Sequence, residues 1–174
     1  MMHTPQAEHE GLAAAARAVI DEHSAQYRPL GGYALLTVAF NALFVAFLLA
    51  TGRRERLPAR YDLRDLVLLA AATYKSSRLL AKDRVTSFLR APFTRFTGDT
   101  GHGEVEEEAR GRGVQRAMGE LLICEYCLAQ WVAAAFIAGF ALAPRATRAI
   151  AALFTVFGLS DWMQLAYSAA RERG

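Results

Sequence analysis

Polar and apolar residues are segregated along this chain into long blocks rather than mixed. Residues 7–27 place Leu12, Ala15, Ala16, Val19 and Ile20 at helical spacing against a charged face, the pattern of an amphipathic helix. Such a helix docks on an interface or a partner, or simply caps a bundle; the simpler reading is preferred. Pro29, Gly31 and Gly32 break the pattern. Leu30 to Thr51 then runs for 22 residues without a charge. That length makes about 33 Å of helix, the thickness of a bilayer core. Asn41 is its one strongly polar residue and is expected to bond between helices.

Arg53, Arg54, Arg56, Arg60 and Arg64 follow closely. Residues 65–81 read as a helix, but only Leu66 to Thr73 is apolar before Lys75 and Arg78. Such charges cost about 2.5–3.5 kcal/mol each at bilayer centre. Residues 82–116 are hydrophilic, and Pro92, Gly98, Gly101, Gly103, Gly111 and Gly113 exclude one continuous helix. Leu121 to Ala143 forms a second apolar run, carrying only Glu125, and Ala146 to Ala170 a third, interrupted by Asp161. Their short connection predicts an antiparallel hairpin. No strand pattern is evident. The prediction is an all-α integral membrane helical bundle. It has three clear transmembrane helices plus one short basic helix that spans the membrane or lies at its cytosolic interface. Residues 1–29 form an N-terminal amphipathic helix, and 30–174 a helical membrane domain with a flexible cytosolic loop at 82–116.

Charge then orients these elements. The net charge of +3 is too small to argue for nucleic acid, and no stretch interleaves basic and aromatic residues as a single-strand binder does. Residues 1–28 lack an apolar core and do not read as a signal peptide. If 65–81 spans, the arginines of 52–64 face outward, against the positive-inside rule. If it lies at the interface, only Arg17, Arg28, Arg145 and Arg148 of the 20 basic residues face outward. Charge counting favours the interfacial arrangement, with three spans. Both arrangements make 82–116 cytosolic and imply a multi-pass protein of the cytoplasmic (inner) membrane.

The candidate chemistry gathers at that cytosolic end. Lys75, Arg78 and Lys82 share a helix face, and Arg84, Arg90 and Arg95 follow among Thr86, Ser87 and Thr94. Cations with hydroxyls near a membrane suit a phosphate or anionic lipid head group; non-specific anchoring is the plainer reading. Glu120, Cys124, Cys127 and Trp131 would form one helical stripe, continued by Ala135 and Ala138. Glu120 and Asp161 are expected near the basic helix as a polar cluster. The two cysteines admit three readings, in descending order of preference. They are small packing residues; a zinc or iron site, although one Cys-x-x-Cys supplies two of the four ligands structural zinc takes; or a redox pair. The reducing cytosol argues against a resting disulfide.

Several ordered motifs then agree with a known pattern. They are Thr73-Tyr74-Lys75-Ser76-Ser77-Arg78-Leu79, Lys82-Asp83-Arg84-Val85-Thr86, Arg90-Ala91-Pro92-Phe93-Thr94-Arg95, Gly103-Glu104-Val105 and Gly119 through Leu128. Over about residues 60–170 the chain resembles the bacterial membrane proteins of domain of unknown function 1360, among whose named members is a sporulation-associated protein. Glu125 and Ala129 stand where that family often has Pro and Gly, which weakens a Cys-Pro-x-Cys redox mechanism. The resemblance implies a cytoplasmic-membrane location and no activity. The expected function is a scaffold or a partner- or ligand-binding protein, leaning away from an enzyme. The alternative is a metal or thiol-redox protein using Cys124 and Cys127. Expected partners are the bilayer, anionic lipid head groups, and a second copy or another membrane protein.

Overall fold

The computed structural model describes residues 28–52 and 61–173; the amphipathic helix expected at 7–27 lies outside them. Helix α1 covers Leu30–Gly52 and α2 Leu63–Lys82. A 3-10 turn at Arg84–Thr86 and a short α3 (Ser87–Arg90) lead into strands β1 (Thr94–Gly101) and β2 (Glu104–Ala109). Helices α4 (Gly113–Ile123), α5 (Glu125–Leu142) and α6 (Pro144–Glu172) complete the order. Three of these helices, α1, α5 and α6, are long and apolar enough to cross a membrane.

Each helix end has a local cause. Asp62 caps α2 by accepting from the Arg64 amide at 3.0 Å, and Asp65 and Lys82 sit at the ends the helix dipole favours. Pro144 stands in the first turn of α6, where its missing N–H costs nothing. In α1 only Gly32 and Thr51 are buried, and most of its apolar side chains face outward. Asn41 donates to Thr37 O of its own helix at 2.8 Å, not to a neighbouring helix as expected.

Pairwise contacts fix the helix directions. Tyr33 on α1 reaches Glu120, and Phe40 stacks edge-on with Trp131 at 5.1 Å, so α1 runs parallel to α4 and α5. Tyr61 lies 5.8 Å from Phe140, whereas Arg78 approaches Glu125 at 3.8 Å, so α2 runs antiparallel to α5. Arg148 holds Asp65 at 2.7 Å and Asp161 holds Lys75 at 2.6 Å, so α6 runs parallel to α2. The expected α5–α6 hairpin is present, with Gly139 against Thr147.

These directions bear on the fourth helix. Helix α2 runs beside α5 and α6, antiparallel to the first and parallel to the second, while α1 and α5 are parallel. The least apolar helix is also the best covered, burying Leu69, Ala72, Lys75, Ser76, Ser77 and Ala81. Leu69 and Ala72 meet Phe140 of α5 and Ala151 of α6 in the hydrophobic core.

The all-α expectation needs correction at 94–109. Strands β1 and β2 pair antiparallel, with Thr94 opposite Ala109 and Gly101 opposite Glu104. The two-residue turn between them is His102-Gly103, with φ of 52° and 80°. Both values are positive, the requirement of a type I′ hairpin turn, and glycine meets it without steric cost. The segment expected as a flexible loop thus carries an ordered cap. The Arg84 amide donates to Gly103 O and the Arg110 amide to Phe93 O, each at 2.9 Å. Gly119 lets α4 sit on that hairpin: a Cβ there would stand 2.5 Å from Phe93 O and 2.9 Å from the Ala109 Cβ.

The apolar run 121–143 is also not one helix. Cys124 adopts an extended conformation (φ −98°, ψ 100°) that separates α4 from α5.

Candidate functional site

The basic helix face is present, but its charges are matched. Lys75 has 6% of its side chain exposed, packs against Gly158 and over the Phe157 ring, and reaches Asp161 at 2.6 Å and Asp83 at 4.0 Å. Arg78 makes a two-pronged bond to Glu104 at 2.7 and 2.8 Å, and Lys82 lies 3.6 Å from Glu125. Arg84 bonds Asp99 at 2.6 Å in the open. Arg95 is exposed. Burial pushes the Asp83 carboxyl above its ordinary value. Lys75 opposes that rise, Glu104 and Asp161 add to it, and Arg78 also opposes it.

Arg90 is the most enclosed of the predicted cations, with a side chain 1% exposed against 5% for Glu107. Nε donates to Glu107 at 2.8 Å, and Nη1 to Leu80 O at 2.6 Å and Thr86 Oγ1 at 2.8 Å. Nη2 donates to Asp83 O at 3.1 Å, and to Ser87 Oγ and Glu107, each at 3.2 Å. Burial alone would raise the Glu107 carboxyl; hydrogen bonds from Arg90 and Thr94 and the Arg90 charge outweigh it and hold the group below its usual range. Arg90 therefore ties the end of α2 to the hairpin, a geometry that leaves its guanidinium no free donor edge for a phosphate.

Glu120 stands apart from the Lys75–Asp161 pair. It accepts from Tyr33 of α1 and from Arg116 at 2.9 Å. The expected single polar cluster is thus two. Asp161 belongs to the α2–α6 seam and Glu120 to the α1–α4 seam.

Cys124 and Cys127 are joined as a disulfide, with Cα atoms 5.2 Å apart. The pairing has a local cause. The break at Cys124 turns its side chain onto the first turn of α5, where Sγ accepts from the Cys127 amide at 3.2 Å. The break also interrupts the stripe read across Glu120, Cys124 and Cys127. A cavity of about 360 Å³ opens beside the pair, between α1, α4 and α5. Cys127, Glu120, Tyr33, Phe40, Gln130 and Trp131 are among its lining residues, whereas Ala135 lines a different cavity shared with α2 and α6. Among the described residues no three His, Cys, Asp or Glu side chains are grouped to hold a metal. The donor set at the cysteines is two sulfurs, short of the four a structural zinc takes.

Sequence reasoning missed the carboxylate partners Asp83, Glu104, Glu107 and Glu125. The available signal was charge balance, because each lies in a segment adjoining a cation of α2 or α3. It also missed Tyr33 and Gln130 as neighbours of the cysteines, and no local spacing marks them; Trp131 was already on the stripe read with Cys127.

This arrangement defines a class, a helical protein with three membrane-length apolar helices, a charged hairpin cap and a cysteine pair beside a cavity. The chain belongs to the family described as protein of unknown function DUF1360, whose pattern matches residues 68–167. It is similar to the Sporulation protein YjcA of Bacillus subtilis (strain 168), at 31% identity over 118 residues, covering 57% of this chain and 93% of that protein. No solved structure matches.

Proposed function

We propose that the chain is a four-span protein of the cytoplasmic membrane whose Cys124–Cys127 pair is a working thiol–disulfide couple. The bond between the two sulfurs, at the break between α4 and α5, carries this reading. Disulfides on the cytosolic side are usually transient, serving catalysis or redox sensing rather than structure. The parallel course of α1 with α5 and of α2 with α6 supports four crossings. The segments joining helices at the end away from the cap carry Arg53, Arg54, Arg56, Arg60, Arg64, Arg145 and Arg148, seven of the 20 basic residues. The other 13 outnumber them, which supports a cytosolic cap and Cys124 with the arginines of 53–64 on the outer face. The polar α2 is tolerated because Lys75 has Asp161 as a partner inside the bundle.

Redox titration in nanodiscs tests this reading. The protein is equilibrated across a series of dithiothreitol ratios and its free thiols are counted with a maleimide. A two-electron transition lost in Cys124→Ser supports the couple. Thiols that stay reduced throughout the series refute it.

A second reading, partner docking, rests on the cap surface. Val85, Phe88 and Phe96 are 75%, 72% and 63% exposed on an otherwise charged module. Such side chains suit another membrane protein seated on the cap. Crosslinking from a photoreactive residue at Phe88 tests it: one dominant adduct supports docking, and none opposes it.

A further inference from the structure

We propose that the cavity beside Cys127 takes a lipid-soluble quinone as the two-electron partner of the cysteine pair; this rests on the thiol–disulfide reading above. A couple built into a membrane bundle needs an electron partner that can reach it. The cavity lies between α1, α4 and α5, and two of these helices, α1 and α5, are long and apolar enough to cross a membrane. Membrane-length helices on two of its walls place it within reach of a lipid-soluble molecule. Its volume, about 360 Å³, falls within the range of small-molecule sites.

The lining is divided by chemistry. Leu36, Phe40 and Trp131 supply apolar and aromatic surface, with the two rings edge-to-face at 5.1 Å. Such walls suit a planar ring. Thr37 and Gln130 add groups able to donate to a carbonyl oxygen. Tyr33, bonded to Glu120, supplies a polar end beside Cys127. An acyl chain would fill the apolar part of this space but leave those polar groups without use.

The step balances without another reactant. Starting from the reduced pair, the two S–H bonds break and one S–S bond forms between Cys124 and Cys127. The two electrons and two protons pass to the quinone, whose carbonyl oxygens become the hydroxyls of the hydroquinone. The thiolate is the reacting form, and its partner sulfur is held close by the turn that also directs the Cys127 amide to Cys124 Sγ at 3.2 Å.

The test uses the full-length chain in nanodiscs, reduced and then freed of reductant under argon. Menadione is added and remaining thiols are quenched with a maleimide over time; oxidised glutathione serves as a water-soluble oxidant in parallel. Thr37→Trp places an indole in the cavity, and Leu43→Trp places one on an exposed position of the same helix outside the lining. The expected result is menadione-driven loss of both thiols, slowed at least tenfold in Thr37→Trp and unchanged in Leu43→Trp, with the glutathione reaction unaffected in both. If glutathione disulfide oxidises the pair but menadione does not, or if Thr37→Trp leaves the menadione rate unchanged, the quinone proposal is overturned and the couple stands. Failure with both oxidants overturns the couple itself.

Discussion

Replacing Glu107 by Ala should be the most damaging single change in the cap. Arg90 would keep a side chain only 1% exposed while losing its only carboxylate. The donors to Leu80 O, Thr86 Oγ1, Asp83 O and Ser87 Oγ would remain, but none carries a compensating charge. Removing one partner of a buried pair costs about 3–5 kcal/mol, mostly because the other is left charged and unpaired. Replacing both, as Arg90→Leu with Glu107→Leu, should cost much less than the two single changes together. The exposed pair Arg84–Asp99, with side chains 62% and 58% exposed, is the internal control. Its loss should cost no more than about 1 kcal/mol. Amide hydrogen exchange across 83–110 in detergent reads the cap directly. Exchange in Glu107→Ala no faster than in Asp99→Ala would refute the assignment of Arg90 as a buried tie.

Protonation should have the same effect as this substitution. The Glu107 carboxyl is held below its unfolded value, so its contribution is fully present above that value and is lost as pH falls through the lower folded one; cap protection should therefore persist through mild acid and fail only beyond it, and a cap that opens near neutral pH contradicts this. Gly119→Ala should cost about 1–3 kcal/mol, because its methyl would meet backbone at Phe93 and the Ala109 Cβ; thermal melting in detergent measures it. Asp161→Leu should cost about 1–3 kcal/mol by the same melt, less than for a fully buried pair because the Asp161 side chain is 36% exposed and Asp83 remains 4.0 Å from Lys75. An engineered cysteine at Arg54 should react with an impermeant maleimide from outside intact spheroplasts, and one at Asp99 should not.

Which parts of this architecture could be read from sequence has a physical pattern. Helix α1 was legible because a charge-free run of bilayer length has few other uses. Helix α2 was legible as a helix but not in its cover by α5 and α6, because counting charges treats Lys75 as an isolated ion. Asp161 lies 86 positions downstream in the sequence, and no local pattern announces that it meets Lys75 at 2.6 Å. The hairpin escaped notice because β1, Thr94–Gly101, shows no alternation and only its first residue is buried. The Gly-His-Gly at 101–103 was its one local signature. The break at Cys124 was hidden within apolar sequence on both sides. At that break Cys124 Sγ accepts from the Cys127 amide and meets the Cys127 sulfur. Lys75, Arg78, Lys82, Arg84 and Arg90 are met by carboxylates of the same chain, which no local pattern announces.

The central claim is that Cys124 and Cys127 cycle between thiol and disulfide in the membrane where the protein works. Acid-quenching living cells, alkylating free thiols at once, and then reducing and tagging the remainder with a heavy maleimide counts the oxidised fraction directly. The account predicts a mixed population that shifts toward disulfide when the steps that reduce quinone are blocked and the pool becomes oxidised, and toward thiol when quinol oxidation is blocked and the pool becomes reduced. A pair found fully reduced, or fully oxidised, under every such condition would contradict it.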